Sequence, residues 1–399
     1  MNWLAISLVA LGLGTEPGEA PMSDVVRGNN AFALDLYGKL RAQEGNAFLS
    51  PYSISSALAM TRAGAKGETA AEMDRVLHLK GGDPAATDRE FAALMSSLNG
   101  DKADRGYRLD VANRLWGMQG FHFVPEFIER TRANYGAGLE RINFGQTAEA
   151  IRTINAWVAS KTQYKINDLL QEGDVNAGTR LVLTNAIYFK GKWTIPFAKE
   201  STRDRPFHAS ASAPAPVPTM MHEGSYLYYE GDGLKAIELP YRPGDLAMDI
   251  LLPDAIDGLP AIEAKLTPDN LTRWLGGLKS RRVELSLPRF TMKTKAELSK
   301  PLAALGMIRA FNPEAADFSG IATEEELSIS AVIHQAFVAV DEEGTEAAAA
   351  TAVVMRATAA MQPPTPPAIF RADHPFLFLI RDVRSGAILF LGRVANPKG

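Results

Sequence analysis

The sequence contains no cysteine. That excludes disulfides, thiolate nucleophiles and cysteine-held metals together, and it leaves the compartment unconstrained by redox chemistry. An excess of charge of one sign is also missing. Lys and Arg number 42 against 46 Asp and Glu, a net charge of -4, so nothing draws nucleic acid or an anionic membrane to the chain. The densest basic cluster, KSRR at 279–282, reads as a solvated turn. The apolar run LAISLVALGLG at 4–14 is too short to span a bilayer but has the length of a signal-peptide core, followed by small residues at Gly18 and Ala20. Residues 1–20 therefore read as a candidate signal peptide, which implies secretion. No Lys or Arg precedes the run and Pro21 would be a poor first residue, so a cytoplasmic protein starting near Met22 is the alternative.

Catalytic signatures are scarce too. The chain has no GxSxG elbow, no HExxH and no GxxxxGK loop, and the pair Gly231 and Gly233 lacks the third glycine of a dinucleotide fingerprint. The six histidines, His78, His122, His208, His222, His334 and His374, are nowhere within four residues of one another, so no local metal-ligand pair exists. Neither enzyme activity nor a cofactor is called for.

What is present is an ordinary globular composition, 46% hydrophobic and 22% charged over 399 residues, enough to bury a large core. Apolar spacing of three and four predicts helices from Asn30, Ser53, Ala86 and Ala148. Strands are predicted at RLDVANRLWGM from Arg108, RLVLTNAIYFKG from Arg180, AIELPYR from Ala236, AMDILLP from Ala247, VELSLPRF from Val283, FLFLIRD from Phe376 and AILFLGRV from Ala387. Helices dominate the first third and strands the rest without regular alternation, which predicts an α+β fold. Turn-rich patches at 80–87, 209–219, 253–260 and 362–368 are loops, not domain boundaries.

One stretch resists this reading. DEEGTEAAAATAVVM at 341–355 follows the β-type run SISAVIHQAFVAV and breaks at Gly344, where backbone angles closed to other residues become accessible. If extended, it places Thr345, Ala347, Ala349 and Thr351 on one face and Glu346, Ala348, Ala350 and Ala352 on the other. Such small side chains would let the segment slide between strands already in place, and alanine's poor strand propensity leaves it adaptable beforehand. A plain linker or a single helical turn remains the other reading of an alanine run.

The surrounding text bears on that choice. VDEEGTEAAAATAV, FRADHPFLFLIRD and GAILFLGRVANP, preceded by NAFLSPYSISSALAMTRAGAKGETAAEM (46–73), INAWVASKTQYKINDLL (154–170), LTNAIYFKGKW (183–193), AIELPYRPGDLAMDILLP (236–253), LSLPRFTMKTKAELSKPLAALGM (285–307) and ADFSGI (316–321), resemble the serpins in serpin order. The sequence is identified as a member of that family, of inhibitory, bacterial-like type, from about residue 28 onward.

The resemblance implies one domain over 22–399, with three β-sheets, eight or nine helices and an exposed reactive loop at about 342–369. It implies no catalysis by the chain itself. A target serine protease would cleave the loop and form an acyl-enzyme, and the loop's N-terminal part would then insert into the central sheet, carrying the protease with it. About 14 inserted residues at roughly 3.3 Å each would move the tethered end some 46 Å. The hinge is matched by Glu342, Gly344, Thr345, Glu346, Ala347, Ala348, Ala349 and Ala350. Trp193 is matched to the tryptophan beneath the point where the loop enters the sheet, and Ser50, Ser53, Asn185 and His334 to the polar cluster that controls sheet opening. Counting seventeen residues with Glu342 as the first, by the family spacing, puts the scissile bond between Thr358 and Ala359, which suits an elastase-like or subtilisin-like protease. Cleavage at Arg356–Ala357 by a trypsin-like enzyme is the alternative. A binding or chaperone protein on the same fold is the alternative function. A monomer with no cofactor, metal, nucleic acid or membrane partner is expected.

Overall fold

The computed structural model describes residues 22–80, 83–102, 106–209, 214–322, 327–345 and 366–398. In chain order, these residues form α1 (Asp24–Leu40), β1 (Ala47–Leu49), α2 (Pro51–Arg62), α3 (Gly67–Val76), α4 (Pro84–Leu98), β2 (Gly100–Lys102), β3 (Tyr107–Met118), α5 (Pro125–Tyr135), β4 (Leu139–Ile142) and α6 (Thr147–Lys161). The strand-rich remainder holds β5 (Leu181–Lys192), β6 (Arg203–Phe207), β7 (Ala215–Gly231), β8 (Leu234–Pro240), β9 (Leu246–Pro253), α7 (Leu259–Ala264), α8 (Pro268–Gly276), β10 (Lys279–Pro288), β11 (Phe290–Glu297) and α9 (Ser299–Ala304). It closes with β12 (Ala331–Val340), β13 (Gly344–Thr345), β14 (Ala368–Arg371), β15 (Phe376–Asp382) and β16 (Ile388–Val394). Helices precede strands and the fold is α+β, as the sequence predicts.

Hydrogen bonding groups the strands into a seven-stranded sheet, ordered β11-β12-β13-β5-β3-β2 with β4 beside β3, and a nine-stranded network. The network is two packages joined along β7, which is 17 residues long. Its C-terminal end, Leu227–Gly231, pairs with β8 and its N-terminal end, Ala215–Thr219, with β6, while β10 runs along Thr219–Tyr228 between them. β15 and β16 are buried almost throughout, as strands apolar on both faces require.

Several local expectations change. The helix expected from Asn30 starts earlier, at Asp24, because the Ser23 side chain caps the amide of Val26. The 209–219 patch is a loop only in part, since β7 begins at Ala215. KSRR at 279–282 is not a turn but the start of β10, exposed yet paired with Ser225–Tyr228 of β7. Helix α2 lacks a solvent face. Eleven of its residues, Pro51 through Thr61, are buried, because serine hydroxyls can be packed wherever they find hydrogen-bond partners. This buried helix lies under the seven-stranded sheet, and the seam between β12 and β5 runs above it.

Candidate functional site

Two groups of residues sit along that seam. At its upper end the run from β12 turns at Asp341–Glu343 and returns as β13, which lies between the two strands. Thr345 pairs with Val340 of β12 and with Gly191 of β5, antiparallel to both. Below this wedge the two strands hydrogen-bond directly, from Ala331–Val182 to Phe337–Tyr188. The sheet is thus parted at the top and closed beneath.

Gly344 is required here. Its φ is +154°, and a Cβ would lie 2.0 Å from the Gly191 carbonyl oxygen and 2.8 Å from Lys192 Cα. The Trp193 indole donates to the Asp341 carbonyl at 2.9 Å, and the Trp193 amide donates to Glu343 O at 2.9 Å. The ring stacks on Tyr241 with centroids 4.4 Å apart, and the Tyr241 hydroxyl lies 2.6 Å from Thr345 Oγ1. Trp193 therefore lies beneath the turn from which the loop leaves.

Glu342 is only 2% exposed. Its carboxylate accepts from Thr202 Oγ1 and from both Nε and Nη2 of Arg289, the Nε contact measuring 2.7 Å. Burial alone would raise this carboxyl's pKa, but the hydrogen bonds from Thr202 and Arg289 outweigh it and hold the group below its ordinary value. The neighbouring Glu343 is held by Lys199 at 2.7 Å.

The second group lies mid-seam. His334 of β12, Asn185 of β5 and Asn113 of β3 are cross-strand neighbours in one row, all buried. The Ser50 amide donates to His334 Nε2 at 3.2 Å, so that nitrogen carries no proton, and the neutral ring donates from Nδ1 to Asn185 Oδ1. Burial pushes the histidine pKa down to about 3. Asn185 Nδ2 donates to Ser53 Oγ at 2.6 Å and to Asn113 Oδ1. Asn113 in turn donates to Ser53 O at 3.0 Å and Ser56 Oγ at 2.9 Å, while Ser50 Oγ donates to Leu389 O of β16 at 2.7 Å.

The structure brings Ser50, Ser53, Asn185 and His334 into one network, and Glu342, Gly344, Thr345 and Trp193 into another. The remaining hinge residues, Glu346 and Ala347, Ala348, Ala349 and Ala350, lie outside the described residues. So do both candidate bonds, Thr358–Ala359 and Arg356–Ala357, and the candidate signal peptide. Sequence reading missed Asn113, Ser56, Arg289, Thr202 and Tyr241. Asn113 had a visible signal, a lone amide within the strand-like DVANRLW, just as Asn185 stands in VLTNAIY.

Residues 27–397 match the family described as Serpin (serine protease inhibitor). The chain is a serpin. Human leukocyte elastase inhibitor is 43% identical over 389 residues, covering 94% of this chain and 100% of that protein. A crystal structure of a highly specific serpin from the insect Tenebrio molitor is 35% identical, with a TM-score of 0.83 over 94% of this chain and 98% of that one. A crystal structure of human thyroxine-binding globulin is 27% identical, with a TM-score of 0.86 over 94% of this chain and 100% of that one. None of these names puts its protein outside the cell, so the comparisons lend the expectation of secretion no support. Among the described residues, no helix is long and apolar enough to cross a membrane.

Proposed function

We propose that this serpin is an irreversible suicide-substrate inhibitor of serine proteases. It would act by loop cleavage, acyl-enzyme trapping and insertion of the loop as a new strand between β12 and β5. The observation that carries this reading is β13. Two residues of the loop already sit in the seam, antiparallel to both neighbours, above a stretch where those neighbours still pair directly.

Continuing that register two residues at a time brings Ala347 opposite Val338 and Phe189, and Ala349 opposite Ala336 and Ile187. Thr351 then comes between His334 and Asn185, on the same face as the buried Thr345. The face turned toward α2 is therefore alanine wherever the core is apolar and threonine where the polar network must be re-bonded. New ladder hydrogen bonds on both sides of the inserted strand supply the driving force.

The target we favour is elastase-like, cutting between Thr358 and Ala359. A small residue at that position and the similarity to leukocyte elastase inhibitor support this choice, with a subtilisin-like enzyme close behind and Arg356–Ala357 as the trypsin-like alternative. Residues 22–399 would act as one domain and a monomer. The alternative, a non-inhibitory binding or chaperone protein, has one point in its favour, the likeness to thyroxine-binding globulin, because fold alone does not select between the two.

Incubation with pancreatic elastase, subtilisin, chymotrypsin and trypsin, read by denaturing gel and mass spectrometry of the released peptide, tests the proposal. A complex that survives boiling, with a peptide beginning at Ala359, is expected. Cleavage by every enzyme without a stable complex, and with no rise in melting temperature, would favour the binding or chaperone protein.

A further inference from the structure

A strap of chain crosses the outer face of the same seam. It leaves α6 through Gln163 and Tyr164, both in the left-handed region at φ 50° and 57°. Asn155 of α6 brackets Leu170, donating to its carbonyl and accepting from its amide at 2.8 Å each. Ile166, Leu169, Leu170 and Val175 are buried in one apolar cluster with Val182 and Ala186 of β5 and with Ala331 and Ile333 of β12. Beyond the seam, two ion pairs tie the strap to β11: Lys293 to Asp168 at 2.6 Å and Lys295 to Asp174 at 2.5 Å. The Lys293 hydrogen bond, together with one from Gln335, holds the Asp168 carboxyl below its ordinary pKa despite slight burial.

The strap thus grips both banks of a seam that must widen. One added strand moves β12 and β11 about 4.8 Å further from β5. Contacts of 2.5 and 2.6 Å cannot follow that separation while Leu169 and Leu170 stay seated on β5. In the register above, Ala348 would meet Phe337 and Tyr188 at the strap's near edge, where Lys165 stands over the Phe337 ring at 5.9 Å. Ala350 would arrive between Gln335 and Ala186, and Ala352 between Ile333 and Thr184, both beneath it. Residues up to Ala347 would enter above the directly paired stretch, whereas those from Ala348 on need the strap to yield.

We infer that Lys293, Lys295, Asp168 and Asp174 are positioning residues that set how fast the second half of insertion runs, and so how cleaved complexes partition between trapping and release. This inference rests on the proposed inhibitory function and deepens it. Because the pairs are partly exposed, each governs the rate modestly and is screened by salt.

The test uses the full chain and a synthetic acetylated peptide of residues 345–358, with uptake followed as the rise in melting temperature. Stoichiometry against pancreatic elastase is measured alongside. At low salt, Lys293→Gln with Lys295→Gln should take up peptide about three- to tenfold faster than wild type and need fewer inhibitor molecules per protease trapped. Half-molar salt should speed wild type and close the gap, Lys293→Arg should match wild type, and the exchange Lys293→Asp with Asp168→Lys should restore the wild-type rate. Equal or slower uptake by the double variant, or unchanged salt dependence, would overturn the clamp. If wild type itself neither takes up peptide nor gains stability on cleavage, the inhibitory reading fails and the clamp falls with it.

Discussion

The upper and middle parts of the seam are held by opposite chemistry. At the top, an ionised Glu342 bonded to Arg289 and Thr202 fixes the first loop residues, and Gly344 and Thr345 already separate β12 from β5. In the middle the strands are closed, and the row His334–Asn185–Asn113 is buried, uncharged and fully hydrogen-bonded to α2. A charged anchor tolerates partial exposure, with Arg289 43% exposed, and so can stand at the edge of the sheet. A neutral network works only when dry, because burial is what makes each unmade bond costly. The seam is therefore parted at one end and closed over a buried polar network at its centre.

Acid should separate the two most strongly. His334 has a folded pKa of about 3, below the ordinary 6.5, so the unfolded chain binds a proton that the folded chain refuses. Its stabilising contribution is full above pH 6.5 and is lost as pH falls below it, by about 1.4 kcal/mol per unit down to the folded pKa. Glu342, depressed from 4.5, keeps its contribution above that value and loses it only below. Asp341 beside it is pushed upward by burial and so does not add to the acid loss. Urea unfolding between pH 6.5 and 4.5 should therefore weaken wild type by about 2–3 kcal/mol more than His334→Gln, while Glu342→Gln keeps the wild-type slope. Identical slopes for wild type and His334→Gln would erase the distinction.

Asn185→Ala comes next. It strips partners from His334, Ser53 and Asn113 together, and a loss of about 2–4 kcal/mol in urea unfolding at pH 7.5 is expected. Milder heating should then suffice for polymer formation, read by native gel, since a sheet that opens for its own loop opens for a neighbour's. Gly344→Ala should act at the top alone. The added Cβ must displace β13, costing about 1–3 kcal/mol, and Trp193 fluorescence should shift while the mid-seam pH slope stays as in wild type. The smallest effect is expected for Glu342→Gln, about 1–2 kcal/mol at pH 7.5, because Arg289 can turn to solvent. A loss as large as that of Asn185→Ala would show that the top, not the middle, latches the seam.

Much of this was legible in the residues. The alanine run after Gly344, the uninterrupted apolar strands β15 and β16 and the buried-looking β12 follow from local pattern, and the segments that carry the family resemblance lie in family order. The 17-residue β7 was not, because Pro216 and Pro218 read as breakers and only pairing with β6 makes them strand. KSRR misled for a similar reason, since exposed charges look the same in a turn and on a strand whose partner lies some 55 residues away.

The amino-acid sequence alone determined the loop's pattern: in extended chain side-chain direction alternates with period two, so the small face Thr345, Ala347, Ala349 and Thr351 is decided before any folding. It also determined that no thiol or local metal-ligand cluster competes for the role. Tertiary structure decided what the loop meets. Ser50 and His334 are 284 positions apart, Asn113 and Asn185 are 72, and Arg289 and Glu342 are 53. They converge because strand register carries each polar group to one row above α2 or to the parted top, and register is set by the packing of the whole sheet on its core.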